Sequence, residues 1–349
     1  MARLLPNPPP SPTMGRMYER FDEMRLKDGR AVECGVVAGP DEAWAGRVEP
    51  LLGHKGGLWN WQNAQALRTT TGLEARFYLL SLHGMPFANV CIFAAGGVGI
   101  LGHVWTMPEF RRQGASTLLM QAAMRDFARR GGEALFLGTN PDGPAYGIYK
   151  QHGFSDVVPG SGHMTWYARG QAAFDAAWFA PGPTRIEPLA WRHWPASAPL
   201  FLRPGPGVVR CAPLRVFGAK LIEGPLLPAI QAQQERQAAE QGPCAVVLEN
   251  SASQAVLGLA VWMFDPVWPA TCVVDVFCHE DYWSRGSEML SALAFPPGRR
   301  RVAYGDSSCP PKQAVLQAAG FARAGVLEKW LPGPSPADRG VDVVAFFAE

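Results

Sequence analysis

A chain of 349 residues, 48% hydrophobic and 18% charged, can bury sizeable cores and is long enough for two domains of ordinary size, so a globular, soluble protein is expected. The formal charge of +2 at pH 7 is too small for a nucleic-acid or membrane surface, and the run Arg299–Arg301 is short enough to be a solvated turn. No apolar run is long enough to span a bilayer. Pro6, Pro8, Pro9, Pro10 and Pro12 stand where a secretory peptide needs an apolar core, which makes a cytoplasmic location the expectation.

Cys34, Cys91, Cys211, Cys244, Cys272, Cys278 and Cys309 are odd in number and form no Cys-x-x-Cys pair. They read as buried free thiols in a reducing compartment. The seven histidines show no metal-ligand spacing, and Gly-x-Ser-x-Gly is missing, so neither a metal enzyme nor a serine hydrolase is indicated.

In chain order, residues 1–13 form a proline-rich tail expected to be disordered, with Met14 as an alternative start. A short strand is predicted from Arg30 to Val37. A helix follows, capped by Asp41 and ended by Gly53 and Gly56-Gly57, and a second helix runs from Trp59 to Thr70. Three strands, 75–82, 86–95 and 98–107, then form an antiparallel meander with turns at His83-Gly84 and Gly96-Gly97. Within it, Gly97-Val-Gly-Ile-Leu-Gly102 matches a dinucleotide fingerprint as a string. More strand follows where that motif needs a helix, so it reads as a hairpin turn.

The last of these strands runs through Pro108 into Glu109-Phe-Arg-Arg-Gln-Gly-Ala-Ser-Thr117 and then into an amphipathic helix over 113–130, which begins near Arg112. Basic residues and unpaired N–H groups at a helix N-terminus make an anion cradle fit for a phosphate. A strand at 134–137, a helix at 142–151 and final strands around Val157 and Met164 complete a β-α-α-β-β-β-α-β-α-β-β order.

Two motifs at this spacing, Arg111-Arg-Gln-Gly114-Ala-Ser116 and Ala145-x-x-x-Tyr149-x-x-x-Gly153-Phe154, resemble the GNAT superfamily of acetyl-CoA-dependent N-acetyltransferases. Ser116 is a small departure, since the family's pattern has Gly or Ala there. The resemblance covers about residues 30–168 well. It implies that the backbone of Val104, Trp105 and Thr106 pairs with the pantetheine arm of an acyl-CoA, and that Arg111, Arg112, Gln113, Gly114, Ala115, Ser116 and Thr117 cradle its pyrophosphate. Tyr149 falls where the family places a general acid that protonates the departing thiolate. Asp142 takes the place of the family's usual Asn, with capping of the following helix as its alternative role.

The family often supplies a Glu as general base, but the corresponding places near Ile100 and Leu137 are apolar, so no base carries over. His103 reads as a hydrogen-bonded core residue, and Glu109 is close only in sequence. Trp59, Trp61 and Trp105 could line an acceptor pocket, although packing is the commoner use of such residues.

Beyond a linker at 169–183 with room for a short helix, similar elements recur: a helix from Pro228 to Gln241, strands at 245–248, 255–263 and 271–278, and a helix at 286–293. A strand at 301–304 and a helix ending at Gly320-Phe321 close the series. Phe110 falls on Tyr282, Gly114 on Gly286, Leu118 on Leu290, and Gly153-Phe154 on Gly320-Phe321, which suggests a tandem duplication. The second copy reads as degenerate. Trp283 replaces Arg111, Leu316 replaces Tyr149, and Glu288 puts a carboxylate where Ser116 meets the pyrophosphate.

The expected fold is therefore α/β (α+β), with two GNAT-like domains, 14–168 catalytic and 184–349 degenerate, each a mixed, mostly antiparallel sheet flanked by helices. Tandem members of the superfamily such as mycothiol synthase have a similar layout. The resemblance implies acetyl-CoA or another acyl-CoA as co-substrate, no metal, and a small-molecule primary amine as acceptor. A peptide or protein amine acetyltransferase and a non-catalytic acyl-CoA sensor or scaffold are the alternatives.

Overall fold

The structure, a computed structural model, describes residues 18–333 and 340–349. The proline-rich tail and the alternative start at Met14 lie outside the described residues. The first half runs β1 (Tyr18–Arg25), β2 (Ala31–Gly39), α1 (Glu42–Leu52), α2 (Gly57–Arg68), β3 (Glu74–Leu82), β4 (Met85–Ala95), β5 (Val98–Thr106) and α3 (Ala115–Arg129). It closes with β6 (Ala134–Gly138), α4 (Pro144–Gln151), β7 (Ser155–Asp156) and β8 (His163–Tyr167). The strands form one eight-stranded sheet, ordered β1-β2-β3-β4-β5-β6-β8-β7. Only the β5–β6 pairing within it is parallel.

After α5 (Gln171–Trp178), which lies in the predicted linker, the second half begins with β9 (Thr184–Pro188), α6 (His193–Ala196), α7 (Ala198–Leu202) and a small hairpin, β10 (Val209–Cys211) with β11 (Val216–Phe217). Then follow α8 (Glu223–Ala238), β12 (Ala245–Asn250), β13 (Val256–Phe264), β14 (Thr271–Cys278), α9 (Gly286–Ser291), β15 (Arg300–Asp306), α10 (Pro310–Ala318), β16 (Ala322–Leu331) and β17 (Val341–Ala348). Its seven-stranded sheet, β9-β12-β13-β14-β15-β17-β16 in order, repeats the first from β2 onward, and its one parallel pair, β14–β15, falls at the equivalent place. The mixed α/β class and the two mostly antiparallel sheets flanked by helices are as the element order suggested.

Local chemistry explains most element ends. The Asp41 carboxylate accepts the Trp44 N–H at 3.2 Å and starts α1. α3 begins at Ala115, later than its amphipathic pattern suggests, because Arg112 (φ 61°) and Gly114 (φ 82°) both take left-handed backbone. α8 begins at Glu223, five residues ahead of the prediction, with Pro225 in its first turn, where no backbone donor is needed. Strands β1, β9, β16 and β17 and the β10–β11 hairpin were not foreseen. β16 has almost no buried face, so it offers little periodicity to read.

The overlay of Gly114 on Gly286 holds in sequence but not in conformation. Gly286 is right-handed at φ −62°, and Val315 crowds the space where a Cβ would sit. α9 is also only six residues long, against fifteen in α3.

Two apolar cores lie on the two faces of the first sheet. On one face α3 and α4 bury Leu119, Met120, Ala123, Phe127, Tyr149 and Phe154 against Leu101, Leu135 and Leu137. The other face, with Phe93 and Ile100, is covered by α1, α2 and the second half in one continuous core. Across this contact the Phe93 and Trp194 rings lie 5.4 Å apart, and those of Trp61 and Trp191 5.2 Å apart. All seven cysteines are buried and unbridged. Among the described residues, no helix is long and apolar enough to cross a membrane.

Candidate active site

β5 and β6 pair only at Val98–Ala134, Gly99–Leu135 and Ile100–Phe136, after which the two strands part. On its other edge β5 stays bonded to β4 as far as Thr106, through an irregularity between Asn89–Trp105 and Cys91–Gly102. That bulge holds the extra residue, His103, at φ 52°. The edge of Val104, Trp105 and Thr106 on the β6 side thus has no strand partner among the described residues, and an amide-bearing chain could pair with it.

The same stretch borders a cavity of about 650 Å³. Val104, Trp105 and Thr106 form one wall, and Arg111, Arg112, Gly114, Ala115, Ser116 and Thr117 form the next. Pro144, Ala145 and Ile148 of α4 close it. The N-cap of α3 is Gly114, which has no side chain to satisfy the first-turn N–H groups of Ala115, Ser116 and Thr117, so their donors and the positive end of the helix dipole serve the cavity. The Thr106 and Ser116 hydroxyls lie 3.2 Å apart, and Arg111 Nε donates to the Thr106 carbonyl at 3.0 Å. The Arg111 guanidinium also lies 4.7 Å from the Trp105 ring, which stacks on His54.

Three of the expected residues do not line this cavity. The Gln113 carbonyl accepts the Lys27 N–H at 3.1 Å and ties the β1–β2 turn to the cradle. Asp142 is exposed, and its N–H donates to Asn140. The N-cap of α4 is Gly143, with no side-chain cap bond, so Asp142 does not cap that helix. Tyr149 is 6% exposed and packs against Phe154. Burial first, and then the charge of Glu223, push its phenol well above the ordinary value, so it is protonated at neutral pH.

His103 is buried and hydrogen-bonded to Gln62 at 3.2 Å, and burial holds its imidazole neutral. Glu109 is exposed on a short turn. Trp105 lines the cavity, Trp59 meets His103 edge-on at 5.4 Å, and Trp61 belongs to the packing between the halves.

Two residues escaped the sequence reading. Lys27 passes over Gly114, its side-chain carbons 3.6 to 4.0 Å from where a Cβ would stand, and adds a third basic residue beside Arg111 and Arg112. Only its place in a turn between strands could have signalled it. The other is Glu223, the first residue of α8 in the second half. It is 8% exposed, and its Oε1 has no hydrogen-bond partner among the described residues. Burial pushes its carboxyl up to about 7, against the opposing pull of Lys55. No motif in the first half points to it.

Glu187, His193 and Glu249 also bring ligand atoms within 4.8 Å of one another. Arg185 and Arg192 already occupy both carboxylates, so the cluster is an ion network.

The strand edge, the helix N-terminus and the sequence between them fall within a stretch, residues 56–154, that matches the profile of the Acetyltransferase (GNAT) family. Residues 56–154 are a GNAT acetyltransferase domain. Solved structures similar to the chain include an N-acetyltransferase from Staphylococcus aureus Mu50, 18% identical, covering 48% of this chain and 99% of its own, with a TM-score of 0.34. Another is yncA of Salmonella typhimurium, solved with its cofactor acetyl-CoA, 16% identical over 48% of this chain and 93% of its own, TM-score 0.36. Tetrahymena GCN5 is 12% identical over 37% of this chain and 89% of its own, TM-score 0.30. No curated protein matches the sequence. The GNAT domain makes the protein an acyltransferase.

Proposed function

We propose that the protein transfers an acyl group from acetyl-CoA, or another acyl-CoA, to a primary amine of a small molecule by direct attack on the thioester. The observation that carries this reading is the convergence of the unpartnered Val104–Thr106 edge and the open N-terminus of α3 on one cavity. The edge receives the amides of the pantetheine arm, and the N–H groups from Gly114 to Thr117 receive the pyrophosphate, with Lys27, Arg111 and Arg112 adding positive charge. The neutral amine attacks the thioester carbon, forming C–N. The C–S bond then breaks, and the Tyr149 hydroxyl gives its proton to the leaving thiolate.

The two sheets support a division into a catalytic domain at 14–168, a linker at 169–183 and a second domain at 184–349. We propose that this second domain does not take acyl-CoA. Glu288 stands in the first turn of α9, paired with Arg285, and Leu316 stands in place of Tyr149. Seven buried, unbridged thiols support a cytoplasmic location.

A thermal-shift series with acetyl-CoA, longer acyl-CoAs and free coenzyme A tests the reading. Stabilisation by all that share the pyrophosphate is expected, and no stabilisation by any of them refutes it.

A further inference from the structure

Two residues past the last β5–β6 pair, Ile100–Phe136, stand Gly102 on β5 and Gly138 at the end of β6. The segment Leu221–Glu223 of the second half sits over both. Leu221 Cδ2 is 3.8 Å from where a Cβ on Gly138 would lie, and Glu223 Oε1 is 3.3 Å from the same point on Gly102. The absence of side chains at both glycines leaves the mouth of the diverging strands open to this carboxylate. Its position is fixed from two sides. Trp194 Nε1 donates to the Glu223 carbonyl at 2.8 Å, and Trp59 packs against Gly224.

We propose that Glu223 is the general base of the acyl transfer, supplied to the first domain's site by the second. This rests on the amine-transfer reading above. The Glu223 carboxylate accepts a proton from the attacking amine nitrogen as C–N forms and C–S breaks, while Tyr149 protonates the sulfur. The proton then returns from Glu223 to the Tyr149 phenolate through solvent, which restores both groups.

Ile100 faces the core shared with the second half and Gly102 faces Glu223, whereas Tyr149 belongs to the core beneath α3 and α4, so base and acid lie on opposite faces of the sheet. The charge of Glu223 is one of the two causes that raise the Tyr149 phenol. Once Glu223 takes up the amine proton that charge is gone, and Tyr149 becomes a stronger acid as the thiolate departs. Lys55 favours the Glu223 carboxylate; His103, next to Gly102 and close to Lys55 and His54, and His163, beside Gly138 and facing Lys220 and Asp156, are both held below their ordinary values first by burial. The base thus loses its proton near neutral pH, where an amine acceptor must give one up.

The test measures release of the coenzyme A thiol by the full-length protein with acetyl-CoA and benzylamine, ethanolamine or spermidine, from pH 5.5 to 9. Wild-type kcat/KM is expected to rise through about pH 7. Glu223→Gln should lower kcat about 100-fold or more and abolish that rise, with acetyl-CoA affinity by calorimetry within about twofold of wild type. Glu223→Asp should recover part of the rate and restore the rise. A Glu223→Gln enzyme that keeps its rate or its acidic limb overturns the proposal, as does one that loses acetyl-CoA binding together with activity. A wild-type protein that binds acetyl-CoA but acetylates none of the amines refutes the amine-transfer reading itself, a result visible before any variant is made.

Discussion

The Thr106 and Ser116 hydroxyls, 3.2 Å apart, join the last residue of β5 to the first turn of α3. This contact sets the free strand edge and the helix N-terminus against each other, so both can act on one extended ligand. A carboxylate at position 116 would put a negative charge at the first turn of α3, where the proposed pyrophosphate sits. Ser116→Glu is expected to weaken acetyl-CoA binding about 100-fold at low ionic strength, with part of the loss recovered in added salt. Ser116→Ala should change it little. Calorimetry at two salt concentrations checks both.

Gly114 is left-handed at φ 82°, and a Cβ there would meet only the Lys27 side chain, no closer than 3.6 Å. The cost of Gly114→Ala is therefore conformational, about 1–2 kcal/mol. A drop of a few degrees in Tm and about a tenfold loss of acetyl-CoA affinity are expected, because the strain falls on the backbone that presents the donors. Unchanged affinity would mean that these N–H groups do not hold the ligand.

Tyr149→Phe removes a buried hydroxyl and leaves the ring that packs on Phe154. With Tyr149 as general acid, kcat should fall about 100-fold while acetyl-CoA affinity stays the same. Steady-state kinetics beside a binding isotherm separate the two quantities, and an unchanged kcat would remove Tyr149 from the mechanism.

Glu249, on β12, makes a prediction about acid stability. His193 Nε2 donates to it at 2.9 Å, and this bond, with those of Arg185 and Arg192, outweighs burial and lowers the carboxyl to about 2. A folded value below the ordinary 4.5 stabilises the native state fully above that pH, and the contribution is lost as pH falls toward 2. Thermal melts should show wild-type Tm dropping across this window. Glu249→Gln should melt lower at neutral pH and lose less on acidification.

The strands of the first meander and the turn into α3 were legible because their signals are local: apolar runs in β3 to β5, glycine at Gly96-Gly97, and a basic run ahead of an amphipathic helix. Asp41 as a cap was likewise readable from its own neighbourhood. Asp142 misled because an acidic residue ahead of a helix resembles a cap whether or not its side chain turns back to the N–H groups. The approach of Glu223 to the strand mouth was not legible at all, since it packs on Gly102 from 121 residues away in sequence. The left-handed Arg112 was hidden for a related reason. Its backbone is set by the turn it occupies, and arginine carries no mark of that conformation.

The face of the first sheet that holds Phe93 and Ile100 has no outer layer of its own beyond α1 and α2 and borrows the rest from Trp194, Leu226 and their neighbours. Two chains cut from this protein near residue 170 would each leave that seam open to water. Heating the intact protein should consequently give one calorimetric transition, with both sheets lost together, and the second half is needed as a wall whatever else it does.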